Sequence, residues 1–405
     1  MKVATNQKAL SKWHVLFGGF ISYMFDAMDI TLLAVTLPSI MKELNMTMGE
    51  GGLLGTATLL GIGLSSVAVG WYADNYGRRK ALICSLIAFG VLTAAIAFAN
   101  SWLTILILRF SAGFGLGGVW GIIAAYISET WPAHQRGRAA AFVLSSFPAG
   151  AGLSAFLAAV MLPTFGWRSL FLTGAGSLLG AAYIYFFVPE SEAWRKQKEE
   201  QVQRGEDAKV SIGEIFSKDL WKITVLATMT ASFSLMAYWG ATTWIPTFLV
   251  KERHLDFKTM SYFFLVLNIG MFIGYNVFGY LADLIGRKKS LILSFLGTAV
   301  TLPMYVMAES QMALFWLGPL YAFFVTFVGI FGSYFGELYP IRVRTLGAGF
   351  CFNVGRGFSA FAPFVLGVVA TKYGLSTGIN ICAVFFAASA VVMLFLPDTN
   401  TKKTV

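Results

Sequence analysis

Four charged side chains stand where charge is expensive. Asp26, Asp29, Arg109 and Arg356 interrupt long apolar runs of the 405-residue chain. Ionisable groups in such runs are rare because lipid solvates them poorly, so each is a candidate for function. Asp26 and Asp29 are three residues apart, which places them on one side of a helix, with Asp26 nearer the midplane. A carboxylate in apolar surroundings changes its proton affinity as a neighbouring guanidinium approaches or leaves. Arginine itself does not titrate, so an aspartate must carry the proton. At ~1.5 Å per residue, Asp29 lies about sixteen residues from one end of its run, and Arg109 about seven from the opposite end of its own. Both therefore fall in the same half of a membrane and can meet. Proton coupling through Asp26, Asp29 and Arg109 is one reading of the cluster. A static buried salt bridge between two helices is the other.

Arg356 lies about twelve residues into its run at ~1.5 Å per residue, near the midplane, with no acidic candidate at its depth. A guanidinium left unpaired there is costly. An anionic substrate would satisfy it bidentately; backbone carbonyls or an aromatic face are the alternatives. Candidate neighbours for substrate are Asn353, Asn268, Asn276, Tyr238, Trp239 and Trp120, with packing as the competing role for the aromatics, which make up 16% of the chain. Gly113, Gly117 and Gly121 share one helix face, as do Gly270 and Gly274. Small residues at that spacing let helices approach closely, so packing is the expected role.

The elements that must position these groups are written in the composition. With 57% hydrophobic and only 12% charged residues and a mean hydropathy of +0.69, an ordinary water-soluble enzyme is excluded. The three cysteines (Cys84, Cys351, Cys382) form no CxxC or zinc spacing, so no disulfide or metal framework is implied. P-loop, HExxH and GxSxG motifs are absent, and no cofactor is expected. Apolar runs occupy 13–40, 51–72, 81–99, 102–127, 139–162, 169–188, 220–249, 260–282, 290–308, 311–335, 345–370 and 375–396. Each is close to the roughly 20 residues that span a bilayer core. The first run is too long for a signal segment, contains two aspartates and lacks a small-residue cleavage site, so it reads as a retained helix.

Charge orients the runs. Of the 30 Lys and Arg residues, Arg109 and Arg356 lie inside runs; Lys42, Arg168, Lys251, Arg253, Lys258 and Lys372 fall on one side, and the other 22 on the side of both termini. The positive-inside rule then predicts an integral membrane protein with both termini cytoplasmic. The net charge of +10 is this topology signal, with lipid headgroups as a secondary partner and nucleic acid excluded. Residues 189–219 form a polar stretch of mixed charge, expected to be a solvated linker between a first six-helix half, 1–188, and a second, 220–405.

The halves repeat. Gly70-Trp-Tyr-Ala-Asp74-Asn-Tyr-Gly77-Arg78-Arg79-Lys80 matches Gly279-Tyr-Leu-Ala-Asp283-Leu-Ile-Gly286-Arg287-Lys288-Lys289 at an offset of 209. Glu129-Thr-Trp-Pro132 with Arg136 matches Glu337-Leu-Tyr-Pro340 with Arg344 at 208. Tandem six-helix halves are a transporter architecture, with substrate held between them near the midplane. The repeated G-x-x-A-D-x-x-G-R-[RK]-K loop resembles the signature of the major facilitator superfamily, and Arg109-Phe-Ser-Ala-Gly113 resembles its second motif. Pro189-Glu190-Ser191 after the sixth run and Pro397-Asp398-Thr399 after the twelfth are similar to the PES and PET motifs of sugar and organic-ion porters. Gly115-Leu-Gly-Gly118, Ser128-Glu-Thr-Trp-Pro132 and Gly349-Phe-Cys-Phe-Asn-Val-Gly-Arg356 look most like bacterial metabolite:proton symporters for sialic, lactate-type and aromatic acids. Phe25-Asp26-Ala-Met-Asp29 is also similar to niacin transporters. Three departures stand out. Val119 replaces a frequent Glu, the seventh run lacks the paired glutamines of sugar porters, and Ser145-Ser-Phe-Pro148-Ala-Gly150 replaces the glycine-rich motif of drug antiporters.

The resemblance implies an all-α membrane protein of twelve transmembrane helices in the major facilitator fold, and Asp29 with Arg109 matches the Asp–Arg pair of proton-coupled sugar porters. Asp74, Arg78, Glu129, Arg138, Asp283, Arg287, Glu337 and Arg344 would form gating ion pairs that separate in one access state, or else only anchor topology. The expected activity is proton-coupled uptake of a small organic anion by a monomer working through alternating access. A carrier of a neutral or cationic solute, a proton-driven exporter and a non-transporting membrane sensor are the rivals.

Overall fold

The computed structural model describes residues 2–132, 136–196, 199, 212–340 and 343–399, and among them every regular element is helical. In lipid a backbone N–H or C=O finds no water, so an isolated apolar run can satisfy itself only as a helix. Ten stretches of the described residues are long and apolar enough to cross a membrane. Two further crossings complete the twelve. Met48–Tyr76 is a 29-residue helix outside those ten. Phe142–Phe187 is one continuous stretch that crosses twice. Its early part climbs the first helix, with Ser154 meeting Thr31 at 2.9 Å and Arg168 pairing with Glu43 at the far end. Its later part returns, so that Tyr183 meets His14 at 3.0 Å. The reversal is at Gly166, whose φ of 72° is unfavourable for any residue with a side chain.

The first helix, Lys2–Glu43, is longer than its apolar run. Several other crossings are built of two helices. The fourth is Trp102–Leu116 followed by Val119–Thr130, broken at Gly117 and Gly118. The tenth is Gln311–Phe324 followed by Val328–Leu338, broken at the matching place in the second half. The eleventh is Arg344–Ser359 followed by Ala362–Tyr373, with Pro363 at the start of the second piece. Of the linker, residues 197–198 and 200–211 lie outside the described residues. Its end docks on the second half: Ile215 is buried, and Thr224 Oγ1 donates to its carbonyl at 2.7 Å.

The signature turns depend on glycine. Gly77 and Gly286 adopt φ of 108° and 96°, and each links two helices within one residue. The helix Arg78–Ala95 has no capping side chain of its own. Glu190 supplies one from the distant end of the half, accepting the N–H of Arg78 at 2.9 Å and of Arg79 at 3.2 Å. A carboxylate there satisfies orphan donors and sits at the positive end of the helix dipole.

Side-chain contacts extend the repeat beyond the two sequence blocks. Tyr126 donates to the carbonyl of Pro189 at 3.2 Å, and Tyr334 to that of Pro397 at 2.8 Å, the same pair in each half. At the other face, Glu43 holds Trp167 and Arg168 at the start of the sixth crossing. Glu252, its counterpart in the second half, accepts from the backbone N–H groups of Leu375 and Ser376 at the start of the twelfth. Tight helix crossings repeat too. A Cβ on Gly113 would meet the carbonyl of Thr58 at 2.5 Å, and one on Gly270 the carbonyl of Pro319 at 2.3 Å. Gly117 and Gly274 are equally confined, whereas Gly121 has open space before it and does not pack as its spacing suggests.

The two faces differ in how the halves meet. Away from the signature loops, the halves touch backbone to backbone. A Cβ on Gly52 would lie 2.4 Å from the carbonyl of Pro363, and Trp244 Nε1 donates to that same carbonyl at 2.9 Å. Toward the signature loops they part around a cavity.

Candidate functional site

The cavity holds about 500 Å³ and is lined by both halves. Tyr23 and Asp26 reach it from the first helix, Trp120 and Gly121 from the fourth crossing, and Phe147 from the fifth. Tyr238 and Trp239, Tyr275, and Asn353 with Arg356 reach it from the seventh, eighth and eleventh. It runs along Ala73, Ala124 and Ala348 to Arg78 beside the signature turn, so it opens on that face. Its closed end is an aromatic collar. Phe147 of the first half lies 6.5 Å from Tyr238 and 6.4 Å from Trp239 of the second, centroid to centroid, while Tyr23 sits tilted between Trp120 and Phe147 at 5.2 and 5.8 Å. Such rings bury large apolar area while their hydroxyl and indole N–H groups still offer hydrogen bonds.

Asp26 and Arg356 face each other across this space, one from each half. Each feels the other's charge, and Tyr23 feels both. The expectation that Arg356 lacks an acidic neighbour is therefore overturned: Asp26 is that neighbour. Among the described residues the guanidinium makes neither a hydrogen bond nor an ion pair, and the Asp26 carboxylate makes none either. Two opposite charges near one another, enclosed between the halves and not in contact, leave a gap that a ligand or a proton can fill.

Asp29 lives in a different environment. Arg109 Nη1 donates to its Oδ1 at 2.8 Å, Thr93 donates to Oδ2, and Arg109 Nε donates to Thr58 at 3.0 Å. Asp29 is 1% exposed and Arg109 0%, and neither lines the cavity. The two residues meet as expected, but the knot joins the first four crossings of one half. Arg109 Nη2 is its one group left without a hydrogen-bond partner. Asp26 does not join the knot. Three residues turn a helix through about 300°, so the two carboxylates point some 60° apart, enough to select different neighbours.

The other substrate candidates divide. Asn353, Tyr238, Trp239 and Trp120 line the cavity. Asn268 does not: it is buried behind the collar beside Thr31 and Tyr321, with its amide donating to the carbonyl of Phe264 at 2.8 Å. Asn276 is on an exposed face and donates to the carbonyl of Phe272. One residue earlier, Tyr275 points inward instead, a rotation of about 100° that composition cannot reveal. Tyr23 and Phe147 carry no signal in the sequence, because aromatics are too common here for any one of them to mark a site.

Of the gating candidates, Arg78 pairs with Glu129 at 3.1 Å, and Arg287 with Glu337 at 3.1 Å and with Asp283 at 3.8 Å. Each pair stays within its own half. The side chains of Asp74, Arg138 and Arg344 lie outside the described residues.

Comparison with known proteins gives a consistent result. Residues 19–335 match the Major Facilitator Superfamily. A putative metabolite transport protein of Haemophilus influenzae is 31% identical over 403 residues, covering 98% of this chain and 99% of that one. The cis,cis-muconate transport protein of Acinetobacter baylyi is 28% identical over 391 residues, 95% of each chain. A crystal structure of a D-xylose–proton symporter superposes with a TM-score of 0.79 at 17% identity, over 96% of this chain and 99% of that one, a likeness of fold.

Proposed function

We propose, from the premise that this chain belongs to the Major Facilitator Superfamily and is a membrane transporter and not an enzyme, that it takes up a small organic anion together with protons. The observation that carries the reading is Arg356, a guanidinium at the closed end of a cavity between the halves, with no hydrogen bond or ion pair of its own among the described residues. A carboxylate is the ligand whose geometry matches a guanidinium fork. Asp26 opposite it is the proton acceptor we assign. While ionised, it competes with the anion for the field of Arg356; once protonated, it no longer does. Anion and proton then favour each other's binding, which is the linkage a symporter needs.

The relative from Acinetobacter baylyi is named for cis,cis-muconate, an unsaturated dicarboxylate, which supports a carboxylate substrate. The aromatic collar favours a flat or conjugated body over a polyol. The backbone contact of Gly52 with Pro363 on one face, and the opening on the other, support alternating access with the signature-loop face open here. The 22 basic residues on the terminal side support a cytoplasmic location for that face, in a bacterial inner membrane. We propose a monomer with protons, the anion and lipid as its partners.

Reconstituted vesicles with an inward proton gradient test this. We expect uptake of at least one of nicotinate, benzoate, lactate, sialate and cis,cis-muconate, abolished by a protonophore and by Arg356→Ala. Gradient-independent uptake of a neutral or cationic solute that survives Arg356→Ala would sink the anion reading and leave the fold standing.

A further inference from the structure

The charges that line the cavity can be counted. Among the described residues they are Asp26, Arg356 and Arg78. Arg78 is bound at the mouth to Glu129 and to the carbonyl of Ala73, so its charge is compensated in place. The neighbouring Asp29 and Arg109 compensate each other outside the cavity. Among the described residues, every other titratable group that faces Asp26 is a tyrosine: Tyr23 on its own helix, Tyr275 on the eighth crossing and Tyr238 on the seventh. A tyrosine hydroxyl is already neutral and accepts no further proton at physiological pH, and arginine does not titrate. The mobile centre therefore has one site for a proton, Asp26, and one for an anion, Arg356.

We infer that this centre carries the same net charge empty and loaded, so that one proton travels with one monoanion in an electrically silent cycle. The inference rests on the symport reading above and fixes its stoichiometry and the charge class of its substrate. Empty, the carboxylate of Asp26 and the guanidinium of Arg356 sum to zero. Loaded, a neutral Asp26 carboxyl and an anion seated on Arg356 sum to zero again. Both limbs of the cycle then move no net charge, and the membrane potential has nothing to act on. A fully ionised dicarboxylate would leave one negative charge without a partner in a low-dielectric cavity. The site thus selects monocarboxylates over dianions, even though a relative is named for one.

The test uses the full chain in vesicles, with nicotinate, benzoate and cis,cis-muconate as probes and protein-free vesicles subtracted. A gradient of about one pH unit, alkaline inside, is expected to accumulate a monocarboxylate roughly tenfold. Adding a potassium diffusion potential with valinomycin, negative inside, should leave that plateau unchanged, and cis,cis-muconate should enter far more slowly than either monocarboxylate. A plateau that changes tenfold per about 59 mV means that one net charge moves, which overturns the inference while leaving symport intact. Faster entry of the dianion overturns the charge selection. Indifference of all three probes to the pH gradient removes the symport reading itself. In Asp26→Asn, exchange of labelled for unlabelled anion should persist while gradient-driven uptake is lost, and movement of the empty carrier should become potential-sensitive because its centre now holds a lone positive charge. Gradient-driven accumulation retained in Asp26→Asn also overturns it.

Discussion

Two charge pairs inside the membrane draw their aspartates from one helix, three residues apart, and have opposite designs. Asp29 and Arg109 touch at 2.8 Å and draw in Thr93 and Thr58, so that four crossings of a single half are tied together. Asp26 and Arg356 belong to different halves, line the cavity and do not touch. A pair enclosed in one half keeps its partners when the halves move as bodies. In the function proposed above, a pair that straddles them is remade in each access state and so couples a bound ion to the position of the halves. Depth alone marks both as important; which elements they join separates scaffold from machine.

The largest expected effect breaks the enclosed pair. Arg109→Ala leaves the Asp29 carboxyl without its counter-charge in an apolar interior and should cost about 3–5 kcal/mol of stability. The loss would be read as a fall in the midpoint of thermal unfolding in detergent. Replacing both partners with apolar residues of similar volume, Asp29→Leu with Arg109→Met, should recover most of it, because no charge is then left unpaired. Gradient-driven uptake should survive in the double variant. If that variant is stable but has lost proton coupling, the knot is part of the machine and the contrast fails.

Arg356→Ala is the complementary break. It removes the anchor we propose for an anion at the closed end of the cavity and should lower uptake by about 100-fold or more, the scale expected for truncating one partner of a buried charge interaction. The unfolding midpoint should scarcely move, since Arg356 makes no hydrogen bond or ion pair to lose among the described residues. A lysine at this position restores the charge but not the fork, so Arg356→Lys should fall between the two.

Why one pair is legible and the other is not follows from what a sequence encodes. Charges inside apolar runs are conspicuous, and counting ~1.5 Å per residue gives their depth. Asp29 and Arg109 can be matched because each belongs to a run of known direction and both fall in the same half of the membrane. Asp26 lies nearer the midplane than Asp29, but i, i+3 spacing groups it with Asp29 as one face and leaves Arg356 without an acidic candidate. Azimuth is the missing coordinate. The roughly 60° between the carboxylates follows from helix geometry, but which neighbours it selects depends on how the first helix packs against both halves, a tertiary fact. The same gap explains Asn276 for Tyr275, and Asn268 behind the collar. The repeat is visible only where it is nearly identical in residue type. The pairs Tyr126–Pro189 and Tyr334–Pro397, or Glu43 and Glu252, share geometry across sequence too divergent to align by eye.

A smaller test concerns how tightly each half is built. A side chain at Gly113 must displace the backbone of Thr58, so Gly113→Val should cost about 1–3 kcal/mol of stability. Gly121 faces the cavity, so Gly121→Val should leave stability nearly unchanged and act on uptake by narrowing the space beside Trp120. Equal destabilisation of the two variants would mean that the fourth crossing packs more closely at Gly121 in another access state.

The weakest effect is the most discriminating, because it concerns charges of the same kind as Asp26 placed within a half. Glu190 closes the N-terminus of the third helix, and Glu252 that of the twelfth. Each holds two elements of one half together, as Asp29 does, but near the membrane surface where water shares the cost. Glutamine keeps the shape and an acceptor oxygen but gives up the charge that complements the helix dipole. Glu190→Gln and Glu252→Gln should therefore each cost about 0.3–1 kcal/mol, less at high salt. The affinity for substrate and the response to the proton gradient should be those of the unaltered protein. If either variant instead alters proton coupling at unchanged stability, then rigidity within a half is itself part of coupling, and a charge need not straddle the halves to take part in it.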